Sequence, residues 1–478
     1  MGPFYLKTPA FWYGCSGVFI FCGMAFVANA DDSFYLPDTI SAQGLADRQQ
    51  NTEYSGELLN EHANISGALD INHAVKTAVA WHPTITQSVG KLMSQAQRVE
   101  MAKAKYYPQV SAGMNNGYSN TYAGAGYSPS LVVSVSQMLY DFGKVSSSVR
   151  VEDAGVAQSQ ANVMLAIDQV AHDTAAAVVQ VQGYQKLVEI AAAQTASLKQ
   201  IGVLIRQRSD AGATSLSDVL QTDTRVEGAQ ATLTQYQAAL ERWKATLATY
   251  IGTATVPVVT DDIPDGMRQA CAVSTINYRA VPSVLAAWAQ ATQAQAQVDN
   301  ATAQMRPTIS LEPQVSQYLN DNYANSATVN RTQYSAWVKV EMPIYQGGAL
   351  TASRDAALQS LAAANAAVKA EQLNARQKLT ASQDEAVNLA QSIQVQARQQ
   401  KLGEQTRALY QDQYLQLGTR PLLDILNVDQ EIFQAQFSQA QTEAQLRSLE
   451  LDCLFSTGKT RTVFALDNQR IQGVEIRP

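Results

Sequence analysis

Two long stretches without proline, 144–210 and 349–416, set the scale of this chain. Both are rich in Ala and Gln, which favour helix. At 1.5 Å per residue each predicts a rod of roughly 100 Å, where globular helices average about 11 residues. Rods of that length bury little on their own, so they are expected to pack against neighbours like coiled coils. Each rod ends at a glycine. The two turns read Gly212-Ala213-Thr214-Ser215-Leu216-Ser217-Asp218-Val219-Leu220 and Gly418-Thr419-Arg420-Pro421-Leu422-Leu423-Asp424-Ile425-Leu426. Gly enters the left-handed region cheaply and so stops a helix. Ser215 or Thr419 can then start a returning helix, which ends at Gly252 or Gly458.

These landmarks recur. The two turns are 206 residues apart, as are Gly252 and Gly458. Tyr140 in Leu-Tyr-Asp-Phe-Gly and Tyr345 in Ile-Tyr-Gln-Gly-Gly are 205 apart, and the pair Pro83/Pro108 recurs as Pro282/Pro307 at 199. Such a period is far too long for a solenoid. The chain is therefore two copies of one large unit.

Between the Pro landmarks and the Tyr motifs the periodicity changes from helix to strand. Val110, Ala112 and Met114 alternate with Gln109, Ser111 and Gly113. Leu131, Val133 and Val135 alternate with Val132, Ser134 and Ser136. In the second copy Ile309, Leu311, Pro313 and Val315 alternate with Ser310, Glu312, Gln314 and Ser316. Tyr334, Ala336, Val338, Val340 and Met342 alternate with Ser335, Trp337, Lys339 and Glu341. Polar loops, 115–129 and 320–332, join each pair into a hairpin. Strands of about 10 residues with one apolar and one polar face fit a transmembrane β-barrel with a wet lumen. A half-buried soluble sheet alternates in the same way.

The expected organisation begins with a secretory leader, 1–30: Lys7, an apolar stretch over 10–27 and the small-residue site Ala28-Asn29-Ala30. A membrane anchor is the alternative, and no lipidation is expected at Cys22. A polar N-terminal segment covers 31–66. Copy 1 follows as helices (67–106), hairpin (107–140), then long helix, turn and return helix (141–252). A mixed connector covers 253–281. Copy 2 follows as helix (282–306), hairpin (307–345) and helices (346–458), before a tail, 459–478, that is irregular or a short strand. The mature chain keeps Cys271 and Cys453. Two buried free thiols is the expectation favoured, with a disulfide in an oxidising compartment as the alternative.

Net charge is −7, from 34 Lys and Arg against 41 Asp and Glu. No basic face points to nucleic acid. His62, His73, His82 and His172 lie on separate segments without metal-ligand spacing. Thr457-Gly458-Lys459-Thr460 lacks the upstream Gly of a phosphate loop, because Cys453 stands there. No catalytic, cofactor or metal constellation is expected, so an enzyme is not.

Four membrane strands cannot close a barrel, because the smallest have about eight. The sequence thus calls for several copies around one barrel. At this point the chain resembles the TolC family of outer-membrane export channels. The resemblance covers about 67–460 and rests on the duplicated order of helix, Pro, hairpin, Tyr-(Asp/Gln)-(Phe/Gly)-Gly, long helix, Gly turn with Asp, return helix and Gly. It implies a mainly α protein with a transmembrane β-barrel segment: a homotrimer sharing a 12-stranded barrel in outer-membrane lipid and an α-barrel tunnel in the periplasm. It further implies a periplasmic adaptor and an ABC or RND-type inner-membrane pump at the far end. Tyr345-Gln346-Gly347-Gly348 and the Arg420–Leu426 turn look most like type I protein secretion partners. Multidrug efflux channels share the architecture.

By the same resemblance the Gly turns form a periplasmic gate. Arg420 is the latch, with Ser217 and Asp218 its partners, and Asp424 a constricting acidic ring. Asn427 stands where a second acidic residue is found in the family. Leu415 stands at a family Tyr position, with Tyr414 beside it. Ordinary solvation at a helix start is the alternative for Arg420 and Asp424. Gly212, Leu216, Gly418 and Leu422 are expected to meet the adaptor, with internal packing the alternative for the two leucines. A structural coiled-coil protein of the periplasm accounts for the helices but not for two matched hairpins.

Overall fold

The computed structural model describes residues 67–121 and 124–477. The leader and the 31–66 segment lie outside the described residues. The first helices are α1 (Ile71–Trp81) and α2 (Pro83–Lys103). Asp70 accepts from the His73 backbone N–H at 2.8 Å and so caps α1. Pro83 opens α2, at a position where a missing N–H is harmless.

The strands follow in chain order: β1 (Gln109–Asn115), β2 (Tyr118–Thr121), β3 (Gly124–Tyr127), β4 (Ser130–Tyr140), β5 (Thr308–Tyr318) and β6 (Thr332–Glu341). The first loop thus contains a small β2–β3 ribbon, which its Gly-rich sequence had concealed. The other four strands form one antiparallel sheet, ordered β1-β4-β5-β6. Its register sorts the chemistry by face. Ser111, Ser134, Gln314 and Ser335 lie side by side across the four strands, and so do Ala112, Val133, Val315 and Tyr334. The polar face also carries Lys339, 2.8 Å from Glu341 and 3.9 Å from Glu312. The apolar face has no cover in the protomer: Val110, Val133, Val315, Tyr334, Val338 and Val340 are all exposed. A continuous uncovered apolar face of this kind is what lipid requires. β1 and β6 are the free edges.

Left-handed residues turn each hairpin into its rod: Phe142 and Gly143 in copy 1, Gly347 and Gly348 in copy 2. The rods and their returns are α3 (Lys144–Asp210), α4 (Leu216–Ile251), α5 (Asp265–Arg268) in the connector, α6 (Pro282–Ala303), α7 (Ala349–Asp412) and α8 (Leu422–Thr457). The tail forms a short helix, α9 (Thr460–Val463), and a ribbon of β7 (Arg470–Ile471) and β8 (Val474–Glu475). α3 is flanked by α2 and α6 towards the sheet and by α4 and α8 towards the tip. α7 packs on α6 and α8, and no helix of copy 1 runs along it among the described residues.

The main core lies midway, where Leu69, Ile167, Val178, Leu247, Met267, Leu451 and Phe464 meet. Buried Asp168 on α3 receives Arg461 of α9 at 2.5 Å, which ties the tail inwards. His172, one of the four histidines without metal-ligand spacing, bridges Asp173 and Asp452 at 3.1 and 2.9 Å. Burial opposes its charge, but the hydrogen bonds to the two carboxylates prevail and raise its pKa to about 9. The expectation of free thiols is corrected. A short turn at 270–272 lays Cys271 against α8, with its Cα 5.3 Å from that of Cys453, and the two are disulfide-bonded. Gln383 of α7 donates to the carbonyls of Cys271 and Val273, both at 2.7 Å, so the connector is fastened to both helices.

Gly252 and Gly458 end the return helices with φ of 72° and 70°. Both are also crowded. A Cβ on Gly458 would lie 2.1 Å from the Ala280 carbonyl oxygen, whereas nothing lies within 4 Å at Gly418. Gly458→Ala should therefore cost about 3 kcal/mol or more, and Gly418→Ala only about 1–2 kcal/mol. Urea unfolding followed by circular dichroism measures both, and equal losses would show that crowding at Gly458 is relieved.

Candidate functional site

The tip is built twice from one template, and of the five positions at which the two nine-residue turns differ, two change how the acid is held. In copy 1, Gly212 ends the rod in the left-handed region and Ser215 is the N-cap of α4. Ser215 Oγ accepts from the Asp218 N–H at 3.3 Å, and the Asp218 carboxylate accepts in return from the Ser215 N–H at 3.4 Å. This is a capping box. Thr214 Oγ1 also donates to Asp218 at 2.6 Å. Those hydrogen bonds, from Thr214 first and then Ser215, hold the Asp218 carboxyl below the usual carboxylate range. The Ser217 hydroxyl lies 2.7 Å from that of Ser215.

In copy 2, Pro421 stands where copy 1 has Ser215, and Arg420 where it has Thr214. Thr419 does not start the helix as the sequence suggested. Pro421 occupies the cap position and offers no side-chain bond. Asp424, third in its helix like Asp218, has no capping box to join. Arg420 Nη1 donates to it instead, at 3.0 Å. Arg420 also donates from Nε to Gln413 at 2.9 Å, and its guanidinium lies 4.3 Å from the centre of the Tyr410 ring. Within the protomer Arg420 is therefore held by its own coil, not by Ser217 and Asp218. Both members of the ion pair are about one-third exposed, so the pair alone contributes at most about 1 kcal/mol.

The other expected residues fall on both sides of the surface. Gly212 and Gly418 have open space around them. Leu216 is exposed, as are Leu220 one turn on in the same helix and Leu417 just before the second turn. Leu422 is not. It packs inside the tip with Leu198, Ile205, Tyr414, Ile425 and Leu426, so internal packing is its role. Asn427 accepts from Arg225 Nη2 at 3.3 Å, which ties α8 to α4.

Three features had no signal in the sequence. The last turn of the second rod, Gln413–Leu417, is a π-helix. Its wider turn places Tyr414 inwards, buried beneath Arg208 of α3 at 4.8 Å, while Leu415 stays exposed. The second is buried Asp429, two residues beyond Asn427. The third is Arg225.

Taken together, an uncovered apolar sheet face, a polar opposite face and two Gly-turn tips at the ends of long helices define an outer-membrane channel protein. The chain belongs to the outer membrane efflux protein family, whose model matches residues 74–253 and 280–454. These are channels rather than enzymes, and they reside in the outer membrane and reach into the periplasm. The two matched segments coincide with the two copies.

Among its relatives, outer membrane efflux protein BepC of Brucella suis is 24% identical over 415 residues, covering 85% of this chain and 88% of that protein. Nodulation protein T of Rhizobium leguminosarum is 22% identical, covering 77% and 80%. Protein CyaE of Bordetella pertussis is 24% identical, covering 58% and 61%. Among solved structures, the outer membrane protein VceC of Vibrio cholerae superposes with a TM-score of 0.70 at 17% identity, covering 81% of this chain and 96% of that one. The outer-membrane channel OprN superposes with a TM-score of 0.70 at 20% identity, covering 81% and 90%.

Because the Asp218 carboxyl is held below its ordinary value, its contribution to the tip is present above the unfolded pKa and lost as pH falls through the lowered one. Ser215→Ala should remove the cap, at about 1 kcal/mol, and lessen that acid sensitivity, the larger part of which stays with the Thr214 hydrogen bond. Pro421→Ala should do neither. Amide exchange at 216–219, followed against pH, reads the difference.

Proposed function

We propose that three copies of this chain form one duct from the periplasm to the cell exterior, closed at rest by the paired Gly-turn tips. The observation that carries this reading is the sheet. It has four strands, one apolar and one polar face, and two free edges. Free edges in lipid cost several kcal/mol per unpaired group, so β1 of one copy pairs with β6 of the next, and twelve strands close a barrel.

The helices support the same assembly. Leu358, Leu373, Val387, Val395, Leu402 and Leu409 are spaced along one stripe of α7, and all are exposed in the protomer. Ile167 and Val181, which stand 206 residues before Leu373 and Val387, are fully buried on α3. The α7 rod thus lacks the copy-1 neighbours that α3 has. A second copy supplies them.

At the tip, three Asp424 carboxylates converge near the axis, with Arg420 neutralising each and facing Ser217 and Asp218 of the adjoining copy. Mutual repulsion of the carboxylates favours opening once the arginines are withdrawn. A periplasmic adaptor meets Gly212, Leu216 and Gly418 at the exposed end, and an ABC or RND-type pump of the inner membrane supplies energy. The cargo is protein exported by type I secretion, a reading supported by the Tyr345–Gly348 and Arg420–Leu426 motifs. Efflux of small molecules is the second reading, favoured by the description of BepC.

Single-channel conductance in planar bilayers tests the duct. Wild type should conduct weakly and Arg420→Ala more strongly. An unchanged mutant removes the latch but keeps the duct. Folded protein that never inserts returns the chain to the periplasmic coiled-coil reading. Deletion in the host separates the cargoes. Loss of a secreted protein without drug sensitivity supports secretion, and the reverse result supports efflux.

A further inference from the structure

Below the midway core, the two coils of one protomer meet along a seam between α3 and α8. The seam is apolar on both sides of one residue. Towards the tip, Leu198 and Ile205 pack on Leu422 and Ile425. Towards the core, Ile190 and Ala191 pack on Phe433 and Phe437. Between these clusters lies Asp429, only 1% exposed.

Three helices converge on it. Arg407 Nη1 of α7 donates to its carboxylate at 3.0 Å, and Ser197 Oγ of α3 donates to both oxygens, at 3.1 and 3.4 Å. The equivalent residue of copy 1, 206 positions earlier, is Asp223. It is partly exposed and receives Arg206 of the same coil at 2.6 Å. The buried arrangement therefore belongs to the copy-2 position, at the junction between the coils.

Apolar contact is non-directional, so a purely apolar seam resists sliding only weakly. A buried carboxylate with two donors permits one alignment and is costly to leave unpaired. We infer that Asp429, Arg407 and Ser197 form a polar clasp that locks the two coils of each protomer in register and restrains opening of the tip. The clasp stands above Arg420 and shares no hydrogen-bonding group with it. Asp429 acts as a positioning residue. The part of the inference that concerns opening rests on the gated-duct reading; the part that concerns the seam does not.

The test uses the full-length assembled protein, with hydrogen–deuterium exchange and conductance measured on the same preparations. Arg407→Ala leaves the buried carboxylate without its cation. Exchange should then rise over 194–201 and 425–433 and stay unchanged at the sheet, and conductance should rise towards that of Arg420→Ala. The double variant Arg407→Leu with Asp429→Leu replaces the pair by apolar packing. It should restore slow exchange while conductance stays above wild type, because an apolar seam holds the coils together without fixing their register. Ser197→Ala, a milder change, should raise exchange over the same two segments, and it carries the test if Arg407→Ala fails to assemble. Unchanged exchange in the assembled single variants overturns the clasp. Raised exchange with conductance at the wild-type level, while Arg420→Ala opens the channel, overturns its role in opening. If neither Arg407→Ala nor Arg420→Ala alters conductance, the gated-duct reading fails together with the role in opening, and the exchange result alone decides the clasp.

Discussion

A β-strand at the edge of a sheet presents a row of backbone donors and acceptors, and lipid offers them nothing. Most of this chain's architecture answers that constraint. One hairpin per copy gives two edges that four strands cannot close on themselves. The rods continue from the strands with only a few residues between, so whatever arrangement closes the sheet also places the helices. The uncovered stripe on α7 and the open β6 edge come from the same half of the duplicated chain, and in the proposed assembly a neighbouring copy satisfies both.

Duplication also explains how one template yields two tips. Asp218 and Asp424 sit at the third position of equivalent helices. A serine at the cap draws the first carboxylate into backbone hydrogen bonding. A proline at the same place cannot, and an arginine one residue before it takes the second carboxylate instead. Two differences thus separate a capping acid from one whose charge is balanced by an arginine side chain. Asp223 and Asp429 diverge in the same way, one at the surface and one in a seam.

The long-range plan was legible in the sequence because it rests on local rules. Prolines, left-handed glycines and the switch of period from helix to strand located the rods, turns and strands to within a few residues. What was not legible depends on tertiary placement. Leu216 and Leu422 occupy equivalent positions, yet Leu422 packs with Leu198 and Ile205 of α3 while Leu216 stays exposed. Tyr414 points inwards through a π turn that no residue announces. The contacts that Arg420 makes within the protomer were not legible either, because Gln413 and Tyr410 come within reach only through the packing of the turn. Cys271 and Cys453 are 182 residues apart, and nothing local distinguishes a bonded pair from two thiols.

That disulfide gives the second half of the chain a distinct topology. The bond joins the connector to α8, and between the two cysteines lie α6, both strands of the second hairpin, the whole of α7 and the second tip. Copy 2 is thus a covalently closed ring that reaches from the outer surface to the periplasmic end. Copy 1 is an open thread. A protease that cuts the second hairpin's outer loop or the second tip leaves the pieces attached, whereas the same cut in copy 1 separates them until nothing but packing holds them. The part of the chain that carries the arginine-balanced acid is also the part that survives a single break in one piece.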